Sequence, residues 1–118
     1  MPTPTDIRFH QRSRILEVQF DDGNCFELPC EYLRVYSPSA EVRGHGPGQE
    51  TLQANKEDVT IVDIRPVGNY AISPSFSDGH NTGIFSWEIL YHLGMHQKQL
   101  WGEYLHKLRE AGITRRSA

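Results

Sequence analysis

At 118 residues, a formal net charge of −3 and a pI near 6.0, the chain is long enough for one hydrophobic core and too short for two, so it reads as a single domain over 1–118. The acidic balance excludes a general nucleic-acid binder, which needs a basic face to displace counterions, and the one basic pair, Arg115-Arg116, reads as a solvated tail. No apolar run reaches membrane-spanning length and "MPTPTDIRF" holds no signal core, so a cytoplasmic chain with no membrane partner is expected, with Cys25 and Cys30 as free thiols.

The first elements read as strands. Ile7 and Phe9 alternate with Arg8 and His10, and Ile15, Leu16, Val18 and Phe20 lead into Asp21-Asp22-Gly23-Asn24. An Asp-Gly turn between alternating apolar runs is a hairpin signal, because glycine tolerates positive φ. The return strand runs from Cys25 to Leu28, Pro29 ends it, and "CEYLRVY" supplies one or two helical turns. Residues 37–56 form a loop rich in Gly, Pro and Ser, with Leu52 as its large apolar anchor. Its N-terminal end is expected to be ordered and the glycines between Gly44 and Gly48 mobile.

Strand pattern returns with Val59, Ile61 and Ile64, which Pro66 and Gly68 are expected to break. A further run carries Tyr70, Ile72 and Phe76, where Pro74 implies an edge or a bulge, and a second Asp-Gly turn, Ser77-Asp78-Gly79-His80, follows. Ser86 suits an N-cap for "WEILYHLG", which Gly94 is expected to stop. In "HQKQLWGEYLHKLREAG", Leu100, Trp101, Tyr104, Leu105 and Leu108 form one apolar face, and Gly112 ends the helix. Strands first and helices last point to an α+β fold: a small antiparallel or mixed sheet built from hairpins, with two C-terminal helices packed on it. "FDDGNCFELPCEYL" and "FSDGHNTGIFSWEIL" share a shape, but their spacing differs and no repeat is assigned.

Several groups could carry chemistry. "RGHGPGQ" fits a backbone nest for an anion or a partner contact, and equally a tight surface turn; without a following Lys-Ser or Lys-Thr it is not a phosphate-binding P-loop. His80, His45, Glu41, Asp78, Ser37 and Ser39 could converge if the loop folds over the second hairpin, either as a metal site or as a hydrogen-bonded network that pins the loop. His92 and His96 share no face if the helix stops at Gly94, and Glu88 with His92 reads as a solvated pair. Trp87 and Trp101 read as core aromatics, although an exposed Trp87 beside His80 would mark a partner surface. Ser37 or Ser39 with His80 and Asp78 has the residue types of a catalytic triad, but there is no Gly-x-Ser-x-Gly elbow, and no enzyme is expected. The C-x4-C spacing of Cys25 and Cys30 lacks the second pair a zinc knuckle needs.

"LRVYSPSAEVRGHGPGQ", "IRPVGNYAISPSFSDGHNTGIFSWEIL" and "LWGEYLHKLREAG" together resemble the gamma-butyrobetaine hydroxylase-like N-terminal domain family, over nearly the whole chain. The resemblance implies a small stand-alone bacterial member of a family long catalogued as of unknown function. Similar modules occur fused to carnitine-pathway hydroxylases and to P-loop ATPases of the iron–sulfur carrier type. In the hydroxylases the module holds zinc through three cysteines after a Trp-Leu-Arg motif and one later histidine. The matching positions here are Tyr32-Leu33-Arg34, then Ser37, Ser39 and Val42, then His80. The histidine is kept and the three sulfurs are not, so that zinc site is expected to be absent. None of the six histidines begins a His-x-Asp or His-x-Glu motif, so the iron chemistry of the hydroxylases is not expected either.

The leading expectation is a non-enzymatic accessory module that binds a protein partner, linked to iron–sulfur or metal handling. Its surface would comprise Arg34, Ser37, Ser39, Glu41, Arg43, His45, Asp78, His80 and Trp87. The alternative is a metal-binding domain that holds iron or zinc through His80 with other histidines or Cys25 and Cys30. No cofactor is assigned.

Overall fold

Strands β1 (Pro4–His10), β2 (Ile15–Phe20) and β3 (Cys25–Pro29) form an antiparallel meander that runs directly into helix α1 (Cys30–Val35). A computed structural model describes residues 2–39, 42 and 52–115. A second antiparallel meander follows, β4 (Ile61–Val67), β5 (Ala71–Phe76) and the two-residue β6 (Phe85–Ser86), and it runs into α2 (Trp87–Met95) and α3 (Gln97–Glu110). The fold is α+β, and its strands are shared between two three-stranded sheets. The two segments whose echo was too irregular to name as a repeat therefore build the same piece of each unit, an Asp-Gly turn, the last strand of the meander and the start of a helix.

Both Asp-Gly turns form. Phe20 N–H donates to Asn24 O at 2.8 Å and Gly23 N–H to Phe20 O at 3.1 Å; Phe76 and His80 pair at 2.8 Å and Gly79 and Phe76 at 3.0 Å. Gly23 and Gly79 stand at φ 92° and 93°, the left-handed position of a three-residue hairpin loop, which residues with a Cβ rarely occupy. Alternation then decides which face is buried. Leu16, Val18 and Phe20 of β2 point inward, with Leu28 opposite Leu16 on β3. They meet Ile61, Ile72, Phe76 and Phe85 of the second sheet, Tyr32 and Leu33 of α1, and Leu90 and Leu93 of α2 in one core. A smaller cluster, Val35, Tyr104 and Leu108, joins α1 to α3.

Both prolines in the second sheet behave differently from their sequence reading. Pro66 does not break β4: it pairs with Ile72 inside the strand, which is an outer strand of its sheet, where a missing N–H costs no ladder bond on the open side. Pro74 lies in the middle strand, not on an edge, but β6 reaches only Ala71 and Ile72, so the ladder has already ended there.

Gly94 does not stop α2, which continues to Met95. A Cβ at Gly94 would lie 2.3 Å from Cγ of Phe26, so the glycine admits the Phe26 ring of β3 against the helix. Ser86 caps α2 as expected, its hydroxyl accepting from Ile89 N–H at 3.1 Å. With the helix intact through residue 94, His92 and His96 do share a face, their rings 4.7 Å apart.

On α3, Tyr104 and Leu108 are buried and Leu105 only half-buried, so the buried face is narrower than its periodicity implies. Arg115 is not a solvated tail residue. Its guanidinium grips the carboxylate of buried Glu31 in α1 through two hydrogen bonds and lies over the Trp101 ring. The Glu31 carboxylate raises the Arg115 pKa further.

Candidate functional site

The turn after β5 and the end of α1 meet in a polar cluster. α1 carries Arg34, and the chain leaves the helix through Ser37 and Ser39. Opposite them the second hairpin departs from its ladder: residues 81–84 are not strand, and this opened stretch receives the serines. Ser37 Oγ lies 2.9 Å from His80 Nε2, and the hydroxyls of Ser39 and Thr82 bond to each other. Gly83 makes the approach feasible, since a Cβ there would sit 2.2 Å from Ser37 Oγ. His80 is 4% exposed, its ring against Phe76.

Asp78 organises the charges. One carboxylate oxygen accepts from Arg34 Nε at 2.9 Å and Lys56 Nζ at 2.7 Å; the other accepts from His80 N–H at 3.3 Å. Burial pushes its pKa up, but the hydrogen bonds from Lys56, the His80 N–H and Arg34 outweigh it and hold the carboxyl at about 2. Arg34 and Lys56 stand at the two ends of the loop read over residues 37–56, so one carboxylate fastens both ends. Arg34 is itself buried, and among the described residues its Nη1 has no hydrogen-bond partner. Asp78 is thus the carboxylate that balances this guanidinium.

These positions revise the expected surface. Arg34, Ser37, Ser39 and His80 do converge with Asp78, but the first four are buried, so they pin the chain and are not a contact surface. Trp87 does not join them. Its indole N–H donates to Asn69 O at 2.8 Å and its backbone N–H to Tyr70 O, at the end of β5 opposite Phe76 and His80. Glu41, Arg43 and His45, with the Gly44–Gly48 run, lie outside the described residues. Lys56, Thr82 and Gly83 escaped the sequence reading. A lysine or threonine in a loop carries no local signal, and Gly83 is marked only by what its missing side chain lets in.

The triad reading fails on geometry: the Asp78 carboxylate meets the backbone N–H of His80 and two cations. The zinc implied by the resemblance does not fit this donor set either. One imidazole, two hydroxyls and the Val42 side chain stand where a histidine and three thiolates would be needed, and both hydroxyls already bond within the cluster. Among the described residues no group of three or more His, Cys, Asp or Glu could hold a metal ion. Burial raises the pKa of Cys30, and desolvation together with the Glu17 carboxylate raises that of Cys25. Both therefore favour the protonated thiol, the weaker metal ligand. Among the described residues no helix is long and apolar enough to cross a membrane.

The family model described as "Gamma-butyrobetaine hydroxylase-like, N-terminal" matches residues 7–91. Three solved structures are similar. Two are proteins whose structures were determined by NMR in solution. One is 50% identical, with a TM-score of 0.83, covering 98% of this chain and 86% of its own. The other is 43% identical, with a TM-score of 0.84, covering 98% and 90%. The third is a crystal structure of a protein of unknown function from Acidithiobacillus ferrooxidans in the DUF971 family, 42% identical, with a TM-score of 0.67, covering 78% of this chain and 92% of its own. No protein of curated function matches the chain significantly.

Proposed function

Because the chain belongs to the gamma-butyrobetaine hydroxylase-like N-terminal family, we propose that it is a non-enzymatic accessory module of the cytoplasm that holds one polar segment in place for a protein partner. The observation that carries this reading is the double attachment at Asp78, which takes Arg34 from one side of the segment and Lys56 from the other. Ser37 and Ser39 add two further pins. This base commits buried polar groups at the two flanks of a segment whose sequence bears Glu41, Arg43 and His45, and binding residues concentrate on segments that a rigid scaffold positions. The link to iron–sulfur or metal handling rests on the fused relatives that the resemblance implies.

The test is capture from extract of the native cell by untagged, immobilised protein, with wild type beside Glu41→Ala, Arg43→Ala and His45→Ala. The expected result is one partner retained by wild type and lost from at least one variant that melts normally. Equal capture by all four would defeat the reading. Elemental analysis addresses the metal-binding alternative: stoichiometric iron or zinc that disappears in His80→Ala would establish it instead.

A further inference from the structure

A cavity of about 410 Å³ lies between the end of α1 and helices α2 and α3. It separates the main core, which supplies Ile89, Leu93 and Leu100, from the smaller cluster, which supplies Val35, Leu52 and Tyr104. A recess of this size falls within the range of small-molecule sites. Its polar wall groups are largely engaged. Tyr36 Oη donates to Leu100 O at 2.6 Å, Tyr104 Oη to Gln53 O at 2.7 Å, and Ser37 Oγ is bonded to His80. The interior therefore suits a hydrocarbon chain. The exposed lining residues, His92 and Lys107, mark the mouth. Among the described residues no Asp, Glu or Arg lines the cavity. Lys107 supplies a single full positive charge.

We propose that this cavity binds an amphipathic monocarboxylate, with its aliphatic chain between α2 and α3 and its carboxylate at Lys107. Asp78 takes no part, whereas Ser37, Leu52 and Gln53 of the cavity wall belong to the segment it fastens; the ligand titration reads the cavity by itself, and the capture experiment reads the partner. Titration calorimetry with octanoate tests it, using octanol as the uncharged control. The expected result is one octanoate bound per chain, with octanol weaker by about tenfold. Lys107→Glu, on the exposed face of α3, should weaken octanoate by at least about tenfold without changing the melting temperature. Leu52→Trp, which fills the cavity, should abolish binding in a protein that still melts cooperatively. Absence of octanoate binding at millimolar concentration would overturn the proposal. So would octanol binding as tightly as octanoate, or full-strength binding by both variants.

Discussion

The two meander-and-helix units carry the same turn and use it differently. In each, the turn aspartate accepts the N–H two residues on, Asp22 from Asn24 at 3.0 Å and Asp78 from His80 at 3.3 Å. In each, its other oxygen takes a side chain from the helix of the opposite unit: Tyr91 of α2 reaches Asp22 at 2.6 Å, and Arg34 of α1 reaches Asp78 at 2.9 Å. The units thus clasp each other reciprocally. What differs is the residue after the glycine. Asn24 is followed at once by the five-residue strand β3, whereas after His80 the chain leaves its ladder for four residues before the two-residue β6. The first turn closes a sheet. The second opens a gap that the segment after α1 fills, and charged partners replace the tyrosine. A hairpin becomes a site where its ladder is interrupted and another element supplies the missing bonds.

Replacing the two aspartates in turn is the strongest way to break this comparison. Asp78→Ala should cost roughly 2 kcal/mol, between the values for exposed and buried pairs, because it leaves the buried Arg34 guanidinium uncompensated. Asp22→Ala should lower the melting temperature less, since its partners face solvent. Equal losses in urea unfolding would show that the second turn is no more than a copy of the first.

Glycine substitutions should come next. Gly83→Ala drives a Cβ into Ser37 Oγ and Gly94→Ala drives one into the Phe26 ring, each costing roughly 1–3 kcal/mol as overpacking. The Gly94 result is the sharper of the two, because alanine should gain about 1 kcal/mol of helix propensity at an unobstructed site. A stabilised Gly94→Ala protein would mean that Phe26 moves aside freely.

The acid limb of stability offers a subtler measurement. The folded pKa of Asp78 is depressed from 3.8 to about 2. Its stabilisation is therefore complete above pH 3.8 and is lost as pH falls through about 2. Tyr91 and Asn24 lower the Asp22 pKa as well, so both turns contribute on that limb. Asp78→Asn should flatten the decline more than Asp22→Asn does. The reverse order would place the principal charge clasp in the first unit.

The smallest effect is expected at Leu105, half-buried on α3. Leu105→Ala should destabilise less than Leu108→Ala, which empties a fully packed position in the second cluster. Thermal melts of the pair would show which face of α3 truly packs.

The sequence by itself determined what is local. Asp-Gly turns specify hairpins because positive φ is written into glycine, Ser86 specifies a helix start because its hydroxyl meets an N–H three residues on, and alternation in β2 specifies the buried face. These suffice for the α+β class. Residue types also mark Ser37, Ser39 and His80 as members of a candidate cluster, and the family resemblance places them at matching positions. Only the tertiary structure decided whether those residues face solvent or each other, because that depends on α1 packing against a turn more than forty residues away. It also decided that Gly94 makes room for Phe26 and does not end a helix, and that Pro66 can sit inside an outer strand. A glycine's role as vacant space, and a proline's tolerance at an unpaired edge, are properties of the neighbours that long-range packing brings and not of the residues beside them in the chain.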